Sequence, residues 1–247
     1  DELIKKKHSV RILDNIEPQV HNGKIPSYLN KNAELIKKDI GDNSALKEAI
    51  KDIDVIFHYA AMVGVGQSMY QINRYNDVNA MGTSKLMDIL VNLEHNVKKL
   101  IVASSMSTYG EGSYKCDDCG IVEPQLRPEE QMTKHEWELK CPDCNSILKP
   151  MPTKESKKQD INSVYALTKK FQEDLVLNIG KTYGIPSVAL RFFNVYGPRQ
   201  SLYNPYTGVA AIFISRIKNN NQPIIFEDGN QSRDFISVHD IVNASIL

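Results

Sequence analysis

The chain has 247 residues, enough for one α/β domain with a small satellite. A composition of 41% hydrophobic and 24% charged residues is globular rather than disordered, and 30 basic against 30 acidic residues leave no net charge to support a broad nucleic-acid surface. No apolar stretch approaches the ~20 residues of a membrane span, and no signal peptide is readable, which together fit a cytoplasmic protein. The chain opens at Asp1 without an initiator Met, like the tail of a helix, and ends at Leu247 inside an apolar pattern. A fragment trimmed at both ends is therefore expected.

Apolar runs and turn residues predict strands alternating with helices. Residues 9–13 read as a strand followed by Asp14-Asn15, and 35–40 as a second strand. Residues 44–50 read as a helix behind an Asp/Asn cap, 55–59 as a buried strand and 78–93 as a long helix. Then come a strand at 100–103, a helix at 163–183 and a strand at 187–191. This rhythm predicts right-handed βαβ units and a mostly parallel, doubly wound, Rossmann-like sheet. In such sheets ligands sit at the carboxyl ends of strands. Asp14, Tyr59-Ala60-Ala61, Ser104-Ser105 and Phe193-Asn194 all follow predicted strand ends.

Tyr165 and Lys169 are four apart on a predicted helix, so they share a face and the ammonium can sit near the phenol. An adjacent positive charge favours the phenolate, which makes the pair a plausible general acid/base. Ser105, at the end of the run Leu100-Ile101-Val102-Ala103, could hold a substrate oxygen beside that tyrosine. The Tyr-Lys spacing alone is weak: with 11 Tyr in the chain, about one such match is expected by chance. The strand-end serines and a later Asn-x-Tyr-Gly-Pro-Arg strengthen it.

Residues 114–149 break the rhythm. They are polar and hold Trp137 and all four cysteines, in two Cys-x2-Cys knuckles, Cys116/Cys119 and Cys141/Cys144, with 21 residues between them. The pattern resembles a zinc ribbon, with disulfides or free thiols as the alternative. Four thiolates fill a tetrahedral site, so the zinc would be structural and would supply stability that so small an insertion lacks. The expected division is a Rossmann-like domain over 1–113 and 150–197, the inserted ribbon over 114–149, and a partial sugar-nucleotide domain over 198–247.

Taken together these residues resemble the extended short-chain dehydrogenase/reductase family, specifically its NAD-dependent nucleotide-sugar epimerases and dehydratases. The resemblance implies NAD contacts at Asp14, Asn15, Asp39, Ile40, Tyr59, Ala60, Ala61, Asn79, Ser104, Tyr165, Lys169 and Phe192. It implies catalysis by Ser105, Tyr165 and Lys169, and contacts to a nucleotide-diphosphate sugar from Ser105, Asn194, Arg199, Phe226 and Arg233. Met106 and Ser107 stand where the 4,6-dehydratases carry an Asp-Glu pair, which argues against water elimination. Ser105–Gly112, the knuckles and the stretch 204–213 together look most like the dTDP-L-rhamnose 4-epimerase and UDP-glucose 4-epimerase group. The expected reaction is 4-epimerisation through a transient 4-keto sugar, in a homodimer. A reductase or decarboxylase on the same scaffold, or a non-catalytic sugar-nucleotide binder using the ribbon as a partner site, are the alternatives. The family's Gly-x-x-Gly-x-x-Gly turn is expected before Asp1, and further sugar-domain sequence after Leu247. Simpler roles stay open for Asp14 (a turn), His58 (core), Arg233 (bridging Asp234 or Asp240) and Arg199 (solvent).

Overall fold

A computed structural model describes residues 1–202, 204, 206 and 208–247. In chain order its first half comprises α1 (Glu2–Lys5), β1 (Val10–Leu13), α2 (Pro18–His21), β2 (Ala33–Ile36), α3 (Asn43–Ile50), β3 (Val55–His58), α4 (Val65–Ser68), α5 (Ile72–Tyr75), a π-helical segment Asn76–Met81, α6 (Gly82–Asn92) and β4 (Lys99–Ser105). A 3-10 turn (Met106–Tyr109) leads into β5 (Ser113–Cys116), β6 (Gly120–Val122), α7 (Glu129–Thr133) and β7 (Lys149–Met151). The remainder is α8 (Val164–Tyr183), β8 (Ser187–Phe192), β9 (Asn194–Tyr196), α9 (Val209–Lys218), β10 (Phe235–Ser237) and α10 (Val238–Ile246).

The strands of the α/β part pair in parallel, as alternation with helices requires. β4 is central, with β3 on one side and β8 on the other, and it is buried from Leu100 to Ser105. Its apolar residues pack with Leu46 and Ile50 of α3, Leu86 and Leu90 of α6, and Val176 of α8. Strands buried on both faces read as unbroken apolar runs, which is why this one was visible in the sequence. The expected parallel, Rossmann-like strands form, but not as one continuous sheet. β1–β2 and β3–β4–β8 are separate parallel sheets, and a cleft of about 940 Å³ lined by Val10, Arg11, Val55 and Phe57 runs between β1 and β3. Among the described residues no strand fills it.

Several element boundaries also differ from expectation. β2 ends at Ile36 rather than at 40, because Asp39 turns the chain instead, its carboxylate accepting the Gly41 N–H at 2.7 Å. The expected helix at 78–93 is α-helical only from Gly82, since Asn76–Met81 winds as a π-turn. Gly82 is needed there: a Cβ would lie 2.7 Å from Ile40 Cγ2. β4 and β8 run on to Ser105 and Phe192, two residues and one residue beyond the predicted ends.

The insertion forms an antiparallel sheet in the order β6–β5–β7 around its own small core of Cys116, Val122, Leu139, Cys141 and Leu148. It spans Ser113 to Met151. In the stretch 204–213, Pro205 and Thr207 lie outside the described residues.

α8 carries Tyr165 and Lys169. Ser163 starts it by accepting the Ala166 N–H at 3.1 Å, and Gly184 ends it in the left-handed conformation. The helix is docked on β4 by polar groups as well as apolar ones. Lys169 Nζ donates to the Ala103 carbonyl at 2.7 Å and to Gln172 Oε1 at 2.9 Å, in a site only 3% exposed. Burial alone pushes the Lys169 pKa down from 10.5 to about 7. Below pH 7 folded and unfolded chains both carry this proton, and the buried charge costs on the order of 5 kcal/mol. Between 7 and 10.5 only the unfolded chain stays protonated, so this cost fades as pH rises. The difference in Tm between the parent and Lys169→Met should therefore move in the parent's favour as pH is raised from 7 towards 10. A difference independent of pH would contradict a buried, depressed lysine.

Candidate active site

The carboxyl end of β4 sends successive serines to opposite sides. Ser104 turns inward and donates to Glu173 Oε2 at 2.6 Å, while Ser105 turns towards a cavity of about 250 Å³. That cavity is also lined by Tyr165, Met106, Ser107, Phe192 and Asn194. Ser105 Oγ accepts the backbone N–H of Ser107 at 3.2 Å and its hydroxyl at 3.0 Å. With those acceptor positions taken, the Ser105 proton is left for a group in the cavity. Tyr165 is fixed from behind: its N–H donates to Ser68 Oγ at 3.0 Å, and its ring meets Tyr75 edge-on at 6.3 Å. Burial raises the phenol pKa, and the neighbouring Ser105 hydroxyl pulls it back. Tyr165 and Lys169 share a face of α8 as expected, and the Lys169 amine spends its hydrogen bonds on the Ala103 carbonyl of β4 and on Gln172, three residues further along α8.

A second cavity of about 180 Å³ gathers Asp14, Asn15, Asp39, Ile40, Tyr59, Ala60 and Ala61, residues from three strand ends. Asn15 donates to Asp39 Oδ2 at 2.8 Å, and Asp14 Oδ1 accepts the Ile16 N–H at 2.7 Å. Tyr59 donates to Ser245 Oγ at 2.6 Å and packs edge-on against Phe192, which lines the Tyr165 cavity. The two cavities are thus linked through an aromatic pair.

Other expected site residues are placed elsewhere. Asn79 is fully buried and bonds the Met62 backbone on both sides (2.7 and 3.0 Å) and Thr168 Oγ1 (3.0 Å), so it shapes the loop after β3 from within. Asn194 lines the Ser105–Tyr165 cavity but spends its amide on the Asp234 carbonyl at 3.1 Å. Arg199 pairs with Asp1 at 2.6 Å and stacks over Tyr28. Phe226 is 76% exposed. Arg233 donates to the Ser232 carbonyl and lines a separate cavity of about 1160 Å³, whose lining also includes Arg191. The structure does not bring Arg199, Phe226 or Arg233 to Ser105 and Tyr165.

Sequence reasoning passed over the buried polar groups that hold this arrangement. Arg191 binds Glu173 through Nη2 at 2.6 Å, tying β8 to α8, and its Nη1 donates to the Tyr109 hydroxyl at 2.9 Å. Burial pushes the Glu173 carboxyl up, but Arg191 and Ser104 outweigh it and leave the pKa lowered. Gln172 donates to Thr83 Oγ1 at 2.8 Å and meets His58 Nε2 at 3.1 Å. Burial drives the His58 pKa down to about 3, so it is a neutral core histidine, the simpler of its two readings. The available signal was the spacing of Gln172 and Glu173, three and four residues after Lys169 on one helix face.

The four cysteine Sγ atoms lie within 4.8 Å of one another, none in a disulfide. Cys116 and Cys141 are buried in the insertion's core, and Cys119 and Cys144 face outward. Ser146 pulls the Cys144 thiol down to about 6, while hydrogen bonding with Cys144 and Cys141 pushes Cys119 up.

Among the described residues no helix is long and apolar enough to cross a membrane. A family model described as the NAD dependent epimerase/dehydratase family matches residues 1–131 and 143–247. The chain is 35% identical over 95% of its length to a dTDP-L-rhamnose 4-epimerase of Burkholderia thailandensis, covering 64% of that protein. It is 30% identical over 100% of its length to a putative UDP-glucose 4-epimerase of Methanocaldococcus jannaschii, covering 67%. It thus spans about two thirds of the length of these curated relatives. Among solved structures, the UDP-N-acetylglucosamine 4-epimerase of Methanobrevibacter ruminantium M1, in complex with UDP-N-acetylmuramic acid, superposes with a TM-score of 0.74 at 34% identity, over 100% of this chain and 66% of that one. The UDP-glucose 4-epimerase of Thermotoga maritima, with UDP-glucose, gives 0.76 at 26% identity, over 100% and 67%. With its Rossmann-like α/β fold and parallel sheets, this chain belongs to the NAD dependent epimerase/dehydratase family.

Proposed function

We propose that the protein is an NAD-dependent nucleotide-sugar 4-epimerase, with dTDP-L-rhamnose as the first substrate to test. The observation that carries this reading is a single cavity holding both Ser105 and Tyr165 at the carboxyl end of β4, in a chain of this family. A relative named dTDP-L-rhamnose 4-epimerase at 35% identity supports the choice of sugar. Met106 and Ser107 offer no carboxyl group for elimination, which supports epimerisation over dehydration. The reading makes the protein a cytoplasmic enzyme acting on a small anionic substrate, without nucleic-acid or membrane partners.

The residues around the second cavity fit a dinucleotide. Asp14 offers a carboxylate to the adenosine ribose hydroxyls, Asp39 and Ile40 stand beside the adenine, and Ala60 and Ala61 leave room for a close approach. When bound, NAD supplies a hydride acceptor and donor, and its positive ring favours the Tyr165 phenolate. Ser105, its acceptor positions filled by Ser107, donates its proton to the sugar O4 and holds that oxygen beside Tyr165. Tyr165 accepts the 4-hydroxyl proton as the 4-keto sugar forms, and returns it once the sugar has presented its other face. Inversion at C4 demands firm hold of the nucleotide and loose hold of the hexose. Asn194, which lines the same cavity as Ser105 and Tyr165, contacts the diphosphate end of the substrate; Arg233, in a separate cavity here, would have to swing from its Ser232 bond to reach a diphosphate oxygen.

The four thiols fit a structural zinc. Tetrahedral Zn–S bonds of about 2.3 Å place sulfurs about 3.8 Å apart, and these four lie within 4.8 Å. Cys116, Cys119, Cys141 and Cys144 would hold the ion and fill its coordination, which leaves no position for chemistry. Leu167 and Phe171 of α8 expose apolar surface, as does Met81 at the end of the π-helical segment, which supports a homodimer packed through this helix.

Tyr165→Phe should cut turnover about 100- to 10,000-fold with little change in nucleotide-sugar affinity. Normal turnover in that variant would overturn the assignment. Metal analysis of freshly purified protein should find about one zinc per chain, and its chelation should unfold the insertion. A metal-free protein with disulfide-bonded knuckles would refute the site.

A further inference from the structure

Among the described residues, the segment 223–233, which leads from α9 to β10, has one hydrogen-bonded anchor outside itself. Among the described residues its hydrogen bonds are otherwise internal: Gln231 Nε2 donates to the Phe226 carbonyl and to Glu227 at 3.0 Å each, the Asn230 N–H donates to Asp228 at 3.0 Å, and Arg233 Nη1 donates to the Ser232 carbonyl at 2.7 Å. Apolar packing does not hold it either, since Ile224, Ile225 and Phe226 are all exposed. The exception is Glu227, which accepts two hydrogen bonds from Arg127, from Nη1 at 2.9 Å and Nη2 at 2.8 Å. This is the parallel fork geometry that fixes both position and angle. Arg127 belongs to the cysteine insertion. Its Nη1 also donates to the Trp137 carbonyl at 2.8 Å, and its guanidinium lies 6.0 Å from the Trp137 ring centre.

The far end of the segment reaches the active site directly. The Asp234 carbonyl accepts from Asn194 through both the backbone N–H (3.2 Å) and Nδ2 (3.1 Å). The next residue, Phe235, lines the cavity that holds Ser105 and Tyr165. A constraint on Glu227 is therefore a constraint on one wall of that cavity.

We propose that Arg127 is a positioning residue: by gripping Glu227 it makes the cysteine insertion the anchor of segment 223–233, and so sets the wall against which the nucleoside-diphosphate end of the substrate binds. The proposal rests on reading the cavity as a nucleotide-sugar site. It gives a task to the insertion, which among the described residues lines no part of the Ser105–Tyr165 cavity. Once the pair is broken, the substrate must itself order the segment on binding, which weakens affinity. The proton-transfer groups stand on β4 and α8, so the chemical step is spared.

The test uses the full enzyme with Arg127→Ala, Glu227→Ala, the double variant and the charge-reversed pair R127E/E227R. Glu227→Ala leaves the insertion itself untouched, which guards against an Arg127 variant that merely unfolds it. Steady-state kinetics and calorimetric titration with dTDP and UDP are the readouts. Each single variant should raise KM and the nucleotide Kd by about 5-fold, with kcat within about twofold of the parent. The double variant should be no worse than either single one, and the reversed pair should recover part of the loss. Unchanged KM and Kd in Glu227→Ala, or losses that add in the double variant, would overturn the clamp. A parent without nucleotide-sugar turnover sinks the functional reading and the clamp together, whereas an active parent with an unaltered Glu227→Ala sinks the clamp alone.

Discussion

The bond from Lys169 Nζ to the Ala103 carbonyl fixes where everything else must stand. It ties α8 to β4 just before that strand ends, and Tyr165 lies one turn back on the same helix face. Ser105 lies two residues on along the strand. Given that tether, the phenol and the hydroxyl meet in one cavity without further instruction. The bond from Ser104 to Glu173, and the Arg191 pair beyond it, fasten the same helix at a second point and add β8. Buried polar groups are costly unless partnered, and here Ala103, Ser104 and Arg191 supply partners from the strands whose position matters. The pairing of α8 with β4 is therefore specific in register as well as favourable in packing.

This tether changes the chemical role that spacing alone suggested for Lys169. A lysine one turn from a tyrosine invites the view that its charge sits on the phenol. The structure spends the amine on a backbone carbonyl and a glutamine, and burial lowers its pKa to about 7. Tyr165 in turn sits above its ordinary value, restrained by Ser105. In the proposed reaction the phenolate is favoured by the cofactor's charge and the Ser105 proton, with Lys169 acting chiefly through position.

Much of this was legible in the sequence, for identifiable reasons. Ser105 and Tyr165 could be found because a strand buried on both faces has no polar interruption and a capped amphipathic helix announces its start. Asp14, Asn15, Tyr59, Ala60 and Ala61 could be found because they follow strand ends, and they do share one cavity. Asp39 was harder: it reads as part of a strand yet makes a turn with Gly41. Asn79 and Ser104 carry polar groups on the right elements, but both point inward to partners 89 and 69 residues away. Periodicity tells which face of an element is buried; it does not tell which distant residue completes a buried hydrogen bond. Arg199, Phe226 and Arg233 belong to loops, where period gives no guidance and long-range pairs decide placement.

The cysteine insertion and the α/β core illustrate two ways of stabilising a small element. The core buries apolar strands between helices, whereas the insertion gathers five buried residues, two of them cysteines, around four clustered thiols. The central claim, however, is transient oxidation at C4 between Ser105 and Tyr165. Turnover of a nucleotide sugar carrying deuterium at C4, followed by NMR and mass spectrometry, tests it most directly. The account predicts a C4-inverted product that keeps its deuterium at C4, because the same hydride leaves and returns. Exchange of that deuterium for solvent hydrogen, its loss to added cofactor, or a product with unaltered C4 configuration would contradict it.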